Sequence, residues 1–90
     1  MSNFDVYLTC ARKLDSILDT DPFDVYGVTN YMDKRIIMAM KYYENDHEKT
    51  KQLESLYKEF LGNIDGDSYF IPNSGTYKLL IPKDEILKLF

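Results

Sequence analysis

Apolar residues recur at spacings of three and four through the first two thirds of this chain, and the pattern stops at Gly62. That period matches the turn of an α-helix and not the strict alternation of a half-buried strand. Phe4, Tyr7, Leu8, Ala11, Leu14 and Leu18 form one stripe of a helix over residues 3–18. Ser2 or Asn3 can cap it, and Asp5 suits the positive end of the helix. Asp19-Thr20-Asp21-Pro22 ends it, with a short turn from Pro22 to Tyr26 that Asp21 caps and Gly27 breaks.

A second helix is expected over residues 30–44, capped by Thr29 or Asn30. Tyr31, Met32, Ile36, Ile37, Met38, Ala39, Met40, Tyr42 and Tyr43 go round most of its circumference. A helix of that kind sits at the centre of a bundle or under a partner. Asp46 caps a third helix that runs to Leu61, with Leu53, Leu56, Tyr57, Phe60 and Leu61 on one stripe and Gly62 as its C′ residue. Lys49 stands where a capping box needs an acidic or amide side chain.

After Gly62 the style changes. Asn63-Ile64-Asp65-Gly66-Asp67-Ser68 is turn chemistry. Tyr69-Phe70-Ile71 and the run from Thr76 to Ile81 are β-prone, and Pro72-Asn73-Ser74-Gly75 between them predicts a hairpin at about 68–81. Pro82 opens a final helix from Lys83 to Phe90, with Asp84 and Glu85 in its first turn. The expected fold is mainly α: a small bundle of three longer helices and a short C-terminal helix, with this hairpin before the last helix. Ninety residues make one domain, 1–90, with room for one interface and not for a deep cleft under a lid.

The net charge is −4. It lies in the first third, where Arg12 and Lys13 face Asp5, Asp15, Asp19, Asp21, Asp24 and Asp33. Such a surface repels nucleic acid, whose affinity comes largely from cations set against phosphates, and it suits a basic protein partner. No apolar run approaches the length that spans a bilayer and no signal-peptide pattern opens the chain, so the expected place is the cytoplasm, with no membrane contact.

Catalytic chemistry is sparse. His47, the single histidine, follows a turn between Asp46 and Glu48 and reads as a solvated side chain. Cys10, the single cysteine, reads as a small buried hydrophobe, excludes an internal disulfide and leaves no cysteine cluster for a metal. Asn63, Asp65 and Asp67 have the opening spacing of a calcium loop, but Ser68 and Ser74 stand where that loop needs its glycine and glutamate. The reading is therefore no enzyme, no cofactor and no metal. Eight tyrosines are more than so small a core can hold, and tyrosine supplies rigid amphipathic contact area at interfaces.

The last third of the chain resembles the immunity proteins of nuclease bacteriocins, of the colicin D and carocin immunity type. The residues that carry the likeness are the acidic loop Asn63-Ile64-Asp65-Gly66-Asp67 after an apolar helix, the step Gly75-Thr76-Tyr77-Lys78, and the ending Ile86-Leu87-Lys88-Leu89-Phe90. Pro82 departs from the pattern by interrupting a continuous last helix, and the loop offers fewer carboxylates than the family's. The resemblance implies an inhibitor that binds a basic ribonuclease toxin one to one and blocks its RNA-binding groove. Asp65 and Asp67, supported by Glu59, would occupy phosphate positions, and Tyr69 would stack or hydrogen-bond where a base lies. Asp19, Asp21 and Asp24 form the competing contact surface, which composition alone ranks first. A phage-type inhibitor of a host nucleic-acid enzyme would use the same physics.

A winged-helix DNA-binding regulator is the alternative from another class, since three helices and a hairpin are its element order. Against it, the recognition helix over 47–61 would mix Lys49, Lys51 and Lys58 with Glu48, Glu54 and Glu59, and the wing would carry Lys78 as its cation.

Overall fold

The computed structural model describes residues 2–18 and 30–88. Helix α1 spans Asn3–Ile17, α2 Met32–Tyr42 and α3 His47–Asn63. An antiparallel hairpin follows, with β1 over Ser68–Ile71 and β2 over Gly75–Lys78, and then a short helix, α4, over Lys83–Leu87. The fold is mainly helical, with three longer helices, a short C-terminal one and a small hairpin, as the periodicity predicts.

The helix starts follow from local chemistry. Ser2 caps α1: its hydroxyl accepts from the Asp5 amide at 3.1 Å, and the Asp5 carboxylate accepts from the Ser2 amide at 3.3 Å. The pair is a capping box built with aspartate. Asp46 caps α3 by accepting from the Lys49 amide at 3.1 Å. The α2 start differs from expectation. Tyr31 takes the cap position with no side-chain capping bond, so Asn30 does not serve, and Thr29 lies outside the described residues. Asn30 is committed elsewhere, its amide donating to the Tyr77 hydroxyl at 3.1 Å.

Several boundaries move, α2 closing in from 30–44 to Met32–Tyr42 among them. Helix α3 does not stop at Leu61 but runs through Gly62 to Asn63, because the Asn63 side-chain amide folds back on the Glu59 carbonyl at 2.8 Å. Strand β2 ends at Lys78 and not at Ile81. The Leu79 amide still donates to the Asp67 carbonyl at 2.8 Å, but the Leu80 amide turns to an Asp33 carboxylate oxygen at 2.6 Å and leads the chain away. The last helix is described to Leu87. The turn from Pro22 to Tyr26 and Gly27 lie outside the described residues.

Helix α3 is the centre of the molecule. It packs on both α1 and α2 and buries Leu53, Leu56, Tyr57, Phe60 and Leu61. Of the two places expected for the second helix, the centre is thus taken by α3: α2 buries Met32, Asp33, Ile36 and Ala39 but leaves Ile37 and Tyr42 exposed. From α1 come Val6, Tyr7, Cys10 and Leu14, and Ile64, Tyr69, Leu79 and Ile86 close the core from the C-terminal third. Burying one such aliphatic or aromatic side chain stabilises the fold by about 1.5–3 kcal/mol.

Tyr69 is the hub of this closure. Its ring stacks on Tyr7 of α1 at 5.3 Å and on Tyr77 of β2 at 6.0 Å, and Phe60 of α3 meets it edge-on at 6.0 Å. Its hydroxyl accepts from the Met32 amide at 2.7 Å and donates to the Asn30 carbonyl at 2.8 Å. One side chain thereby joins all three long helices to the hairpin.

Three buried acids make the fold sensitive to alkali. Burial pushes the Cys10 thiol up from 9.0 to about 12, with smaller contributions that oppose it from Arg35 and Lys13 and one that adds to it from Glu59. Burial, reinforced by the Asp33 charge, also pushes up the Tyr57 and Tyr69 hydroxyls. Each folded-state value is raised, so below pH 9 the contribution to stability is whole. Above it the unfolded chain releases protons that the folded chain retains, and stability falls by roughly 1.4 kcal/mol per pH unit for each group so held. The urea midpoint should therefore drop steadily between pH 8.5 and pH 11, about the interval in which these groups titrate when unfolded. A midpoint that stays flat across that interval contradicts the burial of these groups.

Candidate partner-binding surface

The loop between α3 and β1 carries Asp65 and Asp67, both exposed. Its backbone is held at both ends of the fold. The Asn3 side-chain amide donates to the Asp65 carbonyl at 2.6 Å and to the Ser68 carbonyl at 2.8 Å. The Asn3 side-chain oxygen accepts from the Asp65 amide at 2.8 Å. Asn3 therefore uses its whole amide to tie the loop to the first turn of α1. Between the two aspartates Gly66 has φ +77, a left-handed conformation that disfavours side chains and turns the chain sharply. Ile64, buried, anchors the entry to the loop and Tyr69 its exit. The result is a loop whose backbone is tied down and whose two carboxylates are exposed.

The carboxylates are not equivalent. Asp67 lies 3.7 Å from the Lys78 ammonium of β2, both side chains being more than half exposed. An ion pair of that exposure is worth at most about 1 kcal/mol and yields readily to a better partner. The Asp65 carboxylate has no hydrogen bond or ion pair among the described residues. Glu59, one helical turn before Asn63, is bonded to Lys13 of α1 on the α1–α3 face. Its charge is thus partly balanced, and it contributes less to a negative surface than its sequence position suggests.

Tyr69 does not belong to this surface. It was expected beside the loop as a stacking group, but it is 2% exposed and its hydroxyl is committed at both ends. Strand alternation places Phe70, the next residue, on the opposite face, and Phe70 is 58% exposed. Asp19, Asp21 and Asp24 lie outside the described residues.

Comparison of the chain with protein-family models, with curated proteins and with solved structures returns no match.

The other chemistry-bearing residues are placed as follows. Cys10 is buried on the wall of a cavity of about 80 Å³ between α1 and α3, and its raised thiol is a poor nucleophile at neutral pH. His47 is exposed at the first position of α3. Asn63 of the calcium-like spacing turns its amide to Glu59 and not into the loop. Among the described residues no three His, Cys, Asp or Glu side chains gather as a metal would need. No helix of the described chain is long and apolar enough to cross a membrane.

Sequence reasoning missed two residues. Asn3 was read as a helix cap, whereas its side chain is the loop clamp; a contact across 62 positions leaves no local signal. Asp33 is fully buried, accepting from the Leu80 amide with one carboxylate oxygen while the other has no hydrogen bond. Its only trace in the sequence is an acidic residue in a first helical turn, where the helix dipole favours negative charge.

The clamp makes its own prediction. Asn3→Ala leaves the Asp65 amide and two carbonyls to water, and should lower stability by about 1–2 kcal/mol. Amide hydrogen exchange at Asp65 and its neighbours should accelerate far more than at the α3 core. Uniform acceleration across the chain would show that Asn3 supports the whole fold and not the loop.

Proposed function

We propose that this chain is a stoichiometric inhibitor that binds a basic protein, a cognate ribonuclease toxin of the kind neutralised by bacteriocin immunity proteins, through the loop bearing Asp65 and Asp67. The observation that carries the reading is the contrast between a clamped loop backbone and two exposed carboxylates, Asp65 without a partner among the described residues and Asp67 in a weak, exposed pair with Lys78. A groove that binds RNA is lined with cations spaced for phosphates. Carboxylates on a backbone held by Asn3, Ile64 and Tyr69 meet such a groove with little backbone ordering left to do on binding. The acidic balance of the chain adds long-range attraction and speeds the encounter. Expected partners are one basic enzyme per chain and no nucleic acid, and the inhibitor itself performs no chemistry.

The outer face of α3 does not suit the DNA-binding alternative. Its exposed residues include Glu48 and Glu59 beside Lys51 and Lys58, and the hairpin cation Lys78 is already set against Asp67. Phosphates would meet both signs of charge.

The test is capture from lysate of the source organism with the full chain, read by mass spectrometry, together with DNA and RNA binding at low salt. A single basic nuclease that the chain silences at a one-to-one ratio, and that high salt releases, is the expected result. Nucleic-acid affinity that falls steeply with salt would replace this reading with the regulator.

A further inference from the structure

The outer face of the hairpin carries a second feature beside the acidic loop. In the register Phe70 faces Thr76 and Ser68 faces Lys78, so these four side chains share the face opposite to buried Tyr69. A groove of about 310 Å³ runs between this face and the N-terminal turn of α1. Asn3 and Phe4 form one wall, and Phe70, Pro72 and Thr76 the other. The groove is continuous with the acidic loop, because Asn3 lines it and also binds Asp65, and because Asp67 reaches Lys78 at the other end of the same hairpin face.

The backbone at the groove is also open. The Leu79 amide bonds to the Asp67 carbonyl, which makes Asp67 and Leu79 a hydrogen-bonded pair of the ladder. Pairs alternate along antiparallel strands, so Tyr69 and Tyr77 are bonded to each other while Phe70 and Thr76 are not. The Phe70 N–H and carbonyl therefore point away from β2, to the same edge at which the Ser68 carbonyl receives the Asn3 amide. The N-terminal turn of α1 lies beside this edge and Asn3 occupies the Ser68 carbonyl, so it is the Phe70 N–H and carbonyl that can receive an extended chain.

We infer that this groove is the seat of an extended, basic segment of the partner protein, with Phe70 as the aromatic anchor and Asp65 and Asp67 pairing the segment's cations at the groove mouth. The inference rests on the proposed function for its occupant, and charge complementarity selects that occupant: an apolar trough ending in two exposed carboxylates fits a segment that turns an apolar side chain into the trough and carries cations at its end. A half-exposed phenylalanine is costly to leave in water and is the residue type around which interface energy concentrates. Phe70 also supplies the aromatic contact that the sequence assigned to Tyr69.

The experiment is an NMR titration of the full ¹⁵N-labelled chain with acetyl-Arg-Val-Arg-Val-Arg-amide, and with the corresponding Glu-Val peptide as control. Expected are shift changes confined to Asn3, Phe4, the 65–70 segment and Thr76, absent with the acidic peptide. Phe70→Ser, at an exposed position and checked by circular dichroism for an unchanged fold, should weaken binding tenfold or more. Asp65→Asn with Asp67→Asn should weaken it at least as much. If the basic peptide moves only the acidic loop and Phe70→Ser binds unchanged, the groove assignment fails while the charge-based inhibitor reading stands. Loss of neither signal in the aspartate variant, or equal binding of the acidic peptide, defeats both. Shifts at Phe70 that depend on protein concentration without peptide would assign the groove to a second copy of the chain and overturn the inference.

Discussion

Tyr69→Ala should remove most of the stability of this protein. The loss has two parts. Deleting a buried aromatic ring costs about 3–5 kcal/mol, and here it empties the junction of α1, α3 and both strands. Deleting the hydroxyl leaves the Met32 amide and the Asn30 carbonyl without the partner they share, about 1–3 kcal/mol more where water cannot reach them. A domain of this length is stable by roughly 5–13 kcal/mol in all. Urea titration should give a midpoint low enough that part of the population is unfolded without denaturant. Tyr69→Phe separates the two parts: it keeps the ring and should lose only about 1–3 kcal/mol. If the phenylalanine variant is as stable as the parent, the hydroxyl bonds contribute nothing and the hub is held by ring packing alone. If the alanine variant is mildly affected, the core does not close on Tyr69.

Asp65→Lys combined with Asp67→Lys should abolish binding to a basic partner. Each change removes an attraction and adds a repulsion against cations that the complex desolvates. The pair should weaken binding by about 3–5 kcal/mol, a dissociation constant raised about 150-fold to several thousandfold. Folding should scarcely change. Both side chains are exposed, the exposed pair Asp67–Lys78 contributes at most about 1 kcal/mol, and the backbone groups that hold the loop are untouched by the substitution. Affinity and stability thus move independently, which separates a contact role from a structural one. The measurement is surface plasmon resonance against the captured enzyme at two salt concentrations, beside a urea titration of the variant. Undiminished affinity would remove the loop from the interface. The next surface to examine would then be Asp19, Asp21 and Asp24, the acidic cluster that composition favours.

The helices and the place of the hairpin follow from local sequence. Each rests on a local cause. The apolar stripes of α1 and α3 repeat within one helix face, Ser2 and Asp46 act on amides three residues away, and Pro72 with Asn73 at φ 68 closes the turn between the strands through the Ser74 amide and the Ile71 carbonyl. Which helix would be central was not local. Apolar residues surround α2 more completely, yet α3 lies between its neighbours, because position in the bundle depends on what the other elements cover. The candidate site divides in the same way. The acidic, glycine-containing loop is visible as turn chemistry, but its clamp comes from Asn3 at the other end of the chain. Tyr69, Phe70 and Ile71 form a continuous apolar run in which alternation is hidden. Only the packing of Tyr7, Phe60 and the α2 start around one ring turned Tyr69 inward, and the pleat then left Phe70 in water beside the loop.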